Sequence, residues 1–246
     1  MKKQLLFVTI ATCLIVLISC SKDHSILPAA DSTPQESNMP SVTPEKNMFI
    51  NPLAVHLDAC YPFNGNLNEA TGKLGPGISF GLAPQYTPDR KGFANSALRL
   101  TGNSFVKIFN VPQQTASSIS VWVRTYDLSQ NLGIVTGPTQ GLILFQNPNL
   151  FIGGFTRVSG GISISTALTK TVSDLNWHHL VVTYDGSSFK FYVDGVLSGS
   201  TNMPGSLASV AATYIIGNGY WKGAIDDLRF YSRTLTASDV TALHNL

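Results

Sequence analysis

The stretch 177–200, WHHLVVTYDGSSFKFYVDGVLSGS, constrains the fold more than any other part of the chain. Residues 179–184 are β-branched or aromatic apart from one leucine and one histidine, which is the composition of a strand. Residues 189–193 alternate between apolar and more polar side chains, as in a strand with one buried face. Asp-Gly pairs at 185–186 and 194–195 supply residues suited to tight reversals. The stretch therefore predicts three antiparallel strands in a meander.

Short segments of the same character recur after residue 53, and Gly, Asn, Asp and Pro separate them. Many short strands without alternating helices predict two stacked antiparallel sheets. The exception is the C-terminus, where Thr236 is suited to cap a helix whose Val240 and Leu243 would cover the sandwich. About 190 residues suit one domain. We therefore expect an all-β sandwich over residues 53–246 with one short C-terminal helix.

The N-terminus favours export and lipid attachment. Two lysines precede an apolar run at 5–18 that is too short to span a membrane comfortably, and LISC follows at 17–20. This pattern resembles a bacterial lipoprotein signal, in which residues 1–19 are removed and Cys20 becomes the lipidated N-terminus. An ordinary secretory signal with an accidental cysteine is the alternative.

Residues 20–52 are expected to form a flexible tether. Residues 21–51 carry four prolines, many Ser and Thr, and almost no periodic apolar pattern, so they cannot bury enough surface to offset their ordering entropy. Serine after Cys20, with Asp23 close behind, resembles the sorting pattern of outer-membrane and surface lipoproteins of Gram-negative bacteria. The expected location is the outer membrane, on the cell surface, although the periplasmic side stays open. The N-terminal lipid would be the only membrane contact.

Charge excludes one class of partner. Removal of Lys2 and Lys3 would lower Lys+Arg from 16 to 14, which equals the 14 Asp+Glu. A formally neutral mature chain has no basic field to attract nucleic acid, so nucleic acid is not an expected partner.

Several ordered motifs lie between residues 57 and 246, namely WHHLVVTYDG at 177–186, FYVDG at 191–195 and GAIDDLRFYSRTL at 223–235. With the blocks at 61–72, 97–102 and 119–124, they resemble the laminin-G-like, concanavalin A-like jelly-roll family. The resemblance implies a jelly-roll β-sandwich of two curved antiparallel sheets. It says little about activity, because this fold hosts many functions.

The resemblance also implies one calcium ion near the first strand and the penultimate strand. Its oxygen ligands would come from Asn64 and its neighbours and from Asp226, which suits the preference of calcium for oxygen. The family commonly has Asp at the position of Asn64. The alternative is that residues 64–66 form a turn and that Asp226 and Asp227 are satisfied within their strand.

Catalysis is not expected. Glycoside hydrolases with this sandwich need two carboxylates roughly 5 to 10 Å apart, one of them protonated. Glu69 is the only glutamate in residues 53–246 and falls in a loop-like segment, while Asp226 and Asp227 would point to opposite faces of a regular strand. His178 and His179 would also point to opposite sides, so we expect structural roles for them.

A non-catalytic binding module is the preferred interpretation, with carbohydrate as the expected ligand. Aromatic rings pack on the C–H faces of sugars, and neighbouring polar groups bind hydroxyls. The loop with Asn218, Tyr220 and Trp221 has this composition, although Trp221 suits the core equally well. Tyr126 and Arg157 are candidates in other loops. The alternatives are a module for adhesion to a surface protein and an accessory subunit of a glycan-uptake system.

Overall fold

The computed structural model describes residues 51–137, 141–148, 150–155, 164–165, 170–171, 174–207 and 211–246. The predicted signal, Cys20, most of the predicted tether and Arg157 lie outside these residues. Within the described part of the chain, the strands are β1 (Leu57–Tyr61), β2 (Ile78–Gly81), β3 (Gln85–Thr87), β4 (Ala97–Thr101), β5 (Ser104–Pro112), β6 (Ser117–Thr125), β7 (Leu132–Thr136), β8 (Leu142–Asn147), β9 (Leu150–Phe155), β10 (Ile164–Ser165), β11 (Lys170–Thr171), β12 (His178–Tyr184), β13 (Ser188–Val193), β14 (Val196–Asn202), β15 (Ala211–Ile216) and β16 (Lys222–Tyr231). A 3-10 turn at Pro52–Ala54 precedes them, and the helix α1 (Ala237–His244) follows them.

The strands form two sheets in which every pairing is antiparallel. The first sheet has the order β14-β13-β12-β6-β16-β4-β3, and β1 also pairs with β16. The second sheet has the order β10-β9-β8-β7-β15-β5-β2, and β11 also pairs with β9. The predicted sandwich of two antiparallel sheets is therefore confirmed. No helix of the described residues has the length and apolar character needed to cross a membrane.

The meander lies in the first sheet as the sequence predicts. β12 pairs with β13 and β13 with β14, and the turn between the last two has Asp194 and Gly195 at positive φ, 51° and 78°. β12 also pairs with β6 on its other side. These pairings bury both edges of β12, which makes it a central strand.

The core lies between the two sheets. Every second residue of the central strands faces inward, so Val121 and Val182 of the first sheet are buried together with Val106 and Ile216 of the second sheet. Each such apolar side chain contributes about 1.5–3 kcal/mol when it is fully buried. The alternate residues face the outer surfaces of the two sheets.

The helix α1 covers part of the outer face of the first sheet. Val240 and Leu243 of the helix are buried against Cys60, Val181 and Tyr231 of that sheet. A capping box closes the start of the helix, as the sequence predicts. In the described residues no helix covers the outer face of the second sheet, and the candidate site lies there.

Candidate functional site

The loop between β15 and β16 sets the positions of two aromatic residues. Gly217, Asn218 and Gly219 all have positive φ, 87°, 43° and 73°, and the main-chain N–H of Trp221 donates to the carbonyl of Gly217 at 3.0 Å. Glycine and asparagine adopt this left-handed backbone most readily. The tight reversal leaves Tyr220 71% exposed and directs Trp221 into the sandwich.

Trp221 is a core residue. Its side chain is completely buried, and its Nε1 donates to Oε1 of Gln146 at 2.8 Å. Gln146 is itself buried, and its Nε2 donates to the main-chain carbonyl of Asp127. Because the indole N–H is satisfied inside the protein, the ring offers no surface to a ligand. The prediction of Trp221 as a ligand-binding residue is therefore wrong, and the alternative of core packing is correct.

Tyr220 borders a groove of about 400 Å³ on the outer face of the second sheet. The groove is formed by the turn between β4 and β5, by outward-facing residues of β5 and β15, and by the loop that follows β15. Its lining consists of Gly102, Asn103, Phe105, Lys107, Ile215, Asn218, Gly219 and Tyr220. This volume lies within the range of about 300–1,000 Å³ that is usual for small-molecule sites. Asn218 and Tyr220, both predicted from the sequence, are thus brought together.

An aromatic surface made by two stacked rings continues from the groove toward the edge of the sheet. Phe80 of β2 and Phe105 of β5 are stacked with ring centroids 5.1 Å apart and an interplanar angle of 6°. Nζ of Lys107 stands 4.9 Å from the Phe80 centroid and 5.8 Å from the Phe105 centroid. The surface therefore combines apolar ring faces with one ammonium group.

Sequence reasoning missed Phe80, Phe105 and Lys107. The signal for Phe105 and Lys107 is the alternation of side chains along β5. Val106 and Ile108 are buried in the core, so residues 105, 107 and 109 must face outward. Large apolar side chains that face outward from a strand indicate a surface that binds a ligand or a partner.

Tyr126 is not among the residues that line the groove. It follows β6, its main-chain N–H donates to the carbonyl of Lys222, and the guanidinium of Arg99 lies 5.9 Å from its ring centroid. The structure therefore does not bring Tyr126 into contact with the same ligand surface. Arg157 lies outside the described residues.

Asp226 and Asp227 converge on one arginine. A bulge interrupts the pairing of β16 with β6, and Asp227 has a φ of 47°. Oδ2 of Asp226 and Oδ2 of Asp227 each lie 2.8 Å from Nη1 of Arg90, and both carboxylates are buried. The sequence predicts that the two carboxylates point to opposite faces of a regular strand, but the strand is not regular there, so both meet Arg90. The pair forms a buried ion cluster and does not line the groove.

The residues expected to hold calcium do not fit such a site. The carboxylate of Asp226 is inaccessible to solvent and accepts from Arg90. Asn64 is exposed, and its main-chain carbonyl accepts from the side-chain amide of Asn66. The described part of the chain contains no group of three or more His, Cys, Asp or Glu residues arranged to hold a metal ion. These contacts agree with the alternative of a turn and a satisfied strand.

The two adjacent histidines point to opposite sides of β12, as predicted. Nδ1 of His178 lies 3.0 Å from Asp194 and Nε2 lies 3.1 Å from Asp174, and the hydrogen bond to Asp194 is the main cause that raises its pKa. His179 is buried against Trp122, and burial lowers its pKa to about 3. Its Nε2 lies 2.9 Å from Oγ of Ser120, but both residues are buried, so this pair has no access to a substrate.

A second cavity, of about 540 Å³, lies beside α1. It is lined by Arg90, Lys91, Trp122, Asn176, Trp177, His244, Asn245 and Leu246. Its two cationic side chains are already engaged, since Arg90 pairs with the two carboxylates of β16 and Nζ of Lys91 donates to the main-chain carbonyl of Leu246. The groove of the second sheet is therefore the better candidate for a ligand.

Solved structures with a similar fold include binding domains. Domain 4 of AbnA, a GH43 extracellular arabinanase from Geobacillus stearothermophilus solved in complex with arabinotriose, is similar with a TM-score of 0.63 and 26% identity, over 76% of this chain and 98% of that chain. The receptor binding domain of botulinum neurotoxin type G is similar with a TM-score of 0.60 and 18% identity, over 78% of this chain and 51% of that chain. The binding domain of Paraclostridial mosquitocidal protein 1 has a TM-score of 0.58 and 18% identity, over 77% and 51%. The match thus spans about half the length of the two toxin chains.

A search of curated proteins finds no match to this chain. A family model described as the concanavalin A-like lectin/glucanases superfamily matches residues 100–241. This span covers more than half of the sequence and includes strands of both sheets. The chain belongs to the concanavalin A-like lectin/glucanase superfamily.

Proposed function

We propose that this chain is a non-catalytic binding module that holds a segment of carbohydrate in the groove beside Tyr220. The observation that carries the proposal is the exposed ring of Tyr220 at the border of a groove whose floor contains Phe105. Binding of arabinotriose by domain 4 of AbnA, which this chain matches over nearly the whole of that domain, supports it.

The chemistry of the lining suits a sugar. Faces of aromatic rings pack against the C–H faces of a sugar ring, and such contacts contribute about 0.5–1.5 kcal/mol beyond the burial of area in comparable ring pairs. Asn103 and Asn218 carry amide groups that both donate and accept, which matches the hydroxyl groups of a sugar. Tyr220 adds a phenolic hydroxyl at the border.

The same lining supports a role without catalysis. None of the residues that line the groove is Asp or Glu. Hydrolysis of a glycosidic bond normally uses two carboxyl groups on opposite sides of that bond. The two converging carboxylates of this chain, Asp226 and Asp227, are buried against Arg90 on the first sheet.

Glycan binding is tested with an array of oligosaccharides and then by calorimetry on the best ligand. Tyr220→Ala should weaken binding about tenfold, equivalent to about 1.4 kcal/mol, because the ring face is lost. Tyr126→Ala is the matched control, since this partly exposed tyrosine is not part of the groove lining. The proposal fails if no glycan binds, or if the two variants weaken binding equally.

The N-terminal pattern supports a place for this module outside the cell. We propose that Cys20 carries lipid and that residues 20–52 hold the domain away from the outer membrane. Metabolic labelling with a fatty acid should mark the wild-type chain and not Cys20→Ser, and a protease added to intact cells should degrade the domain. Unlabelled wild-type protein would contradict the lipid anchor.

A protein partner is the second candidate, favoured by the edge strand β2. Ile78, Phe80 and Leu82 are exposed there, next to the groove, and an exposed apolar edge strand is a common place for another chain to pair. An adhesion module or an accessory subunit of a glycan-uptake system would use this edge. A purified partner whose binding is abolished by Ile78→Asp and by Leu82→Asp, together with an empty glycan array, would favour this candidate.

A further inference from the structure

The groove contains one charged side chain, Lys107, and no acidic side chain. We infer that the groove selects a glycan that carries a carboxylate, a uronic acid, and that Lys107 determines this preference. The inference rests on the proposed function and goes beyond it, because it assigns a charge to the ligand and a residue to the recognition of that charge.

The position of Lys107 in the sheet leaves its charge without an ion-pair partner among the described residues. Lys107 is on the outer face of β5, and its cross-strand partners are Ile78 of β2 and Ile215 of β15. Both partners are apolar, and Lys107 forms no ion pair with any Asp or Glu among residues whose placement is described. An ammonium group on the strand next to the edge of the sheet therefore lies beside two phenyl rings.

Two other lysines of the domain lie near an oxygen partner of the protein. Lys73 donates to the main-chain carbonyl of Leu57, and Lys190 lies near Asp185, whose pKa it helps to lower. A lysine that only shields apolar surface would extend its ammonium group into open solvent. Lys107 instead borders a groove with aromatic walls, where a ligand would replace part of the water around the ammonium group.

The geometry of a hexuronic acid matches this arrangement. Its carboxylate is attached to the edge of the pyranose ring, so a ring that packs flat on an aromatic face projects its charge sideways. With a sugar ring in the groove against Phe105, the ammonium group of Lys107, 5.8 Å from the Phe105 centroid, can meet that carboxylate. Lysine acts toward an anion as a point charge with three donors, which suits a single carboxylate.

Calorimetry with matched sugars tests the inference. The probes are trisaccharides of galacturonic, glucuronic and mannuronic acid and the methyl ester of each, which has the same rings without the charge. At low salt at least one acid should bind the purified chain about tenfold more tightly than its ester, and the difference should shrink with added salt as charges are screened.

Variants assign the effect to Lys107. Lys107→Met should remove the difference between acid and ester, whereas Lys107→Arg should keep the difference. Lys190→Met, on the outer face of the first sheet, is the matched control and should behave as wild type. Thermal unfolding of each variant shows that the fold is retained.

The outcomes separate this inference from the proposed function. Equal binding of acid and ester, with Tyr220→Ala weakening both, would overturn the preference for a carboxylate and leave glycan binding in place. The same conclusion follows if the array finds only neutral or only sulfated glycans. If neither the array nor the uronates show binding, both proposals fail.

Discussion

Tyr220 and Trp221 are neighbours in the chain with opposite environments, and three residues before them decide which ring faces outward. The positive φ angles at residues 217–219 turn the chain so that Tyr220 reaches the border of the groove. Trp221 then fills the core and forms a hydrogen bond with Gln146. One ring is thus available to a ligand, and the other stabilises the site from below.

Trp221→Phe should destabilise the fold without acting directly on a ligand. The variant leaves Oε1 of Gln146 buried without its donor, which costs about 1–3 kcal/mol of unfolding free energy. Tyr220→Ala, an exposed change, should stay within about 0.5 kcal/mol of wild type. Urea unfolding measures both. Equal stability of Trp221→Phe and wild type would show that the buried hydrogen bond is not needed.

His178 makes the stability depend on pH. Its folded pKa is raised above the ordinary 6.5, chiefly by the hydrogen bond to Asp194 and also by Asp174. A raised folded pKa means that the stabilisation is fully present below pH 6.5 and is lost as the pH rises through the folded pKa. The stability advantage of wild type over His178→Gln should therefore be largest in mildly acidic solution and should fall toward alkaline pH.

Urea unfolding of wild type and His178→Gln at about pH 5 to about pH 9 measures this difference. His179 has a lowered pKa and destabilises the protein as the pH falls below 6.5, but it is present in both proteins and its effect cancels. A difference that does not change with pH, or that grows toward alkaline pH, would contradict the assignment.

At the level of elements, β16 is the strand that carries two buried carboxylates of the first sheet, Asp226 and Asp227. Its bulge turns both Asp226 and Asp227 toward Arg90, and the guanidinium also lies 4.7 Å from the ring centroid of Trp122. The alternation of side chains predicts a strand here, but it does not predict the bulge. One residue with a left-handed backbone changes which face of the sheet the neighbouring side chains point to.

Removal of Arg90 should lower the free energy of unfolding, because these carboxylates are buried. Arg90→Met removes the arginine that pairs with both Asp226 and Asp227, and should lower the unfolding free energy by about 3–5 kcal/mol. Adding Asp226→Asn to Arg90→Met should restore part of the loss, since it removes one uncompensated charge. A loss below about 1 kcal/mol for Arg90→Met, or no recovery in the double variant, would contradict the account.

For the whole molecule, the sandwich and its C-terminal helix could be predicted because period-two alternation and the capping residues are local signals. The groove could be predicted only in part. Asn218 and Tyr220 belong to one loop whose composition is typical of sugar binding. Phe105 and Lys107 are more than a hundred residues earlier in the chain. They meet the loop because β15 pairs with β5, and such a non-local pairing cannot be deduced from either segment alone.

The most direct test of the central claim, that the outer face of the second sheet is the ligand surface, is an NMR titration of the isotope-labelled chain with a bound oligosaccharide. We predict that the amide signals that shift are those of Asn103, Phe105, Lys107, Asn218 and Tyr220, with no cleavage of the sugar during the titration. Shifts concentrated on the cavity beside α1, or cleavage of the oligosaccharide, would contradict the claim.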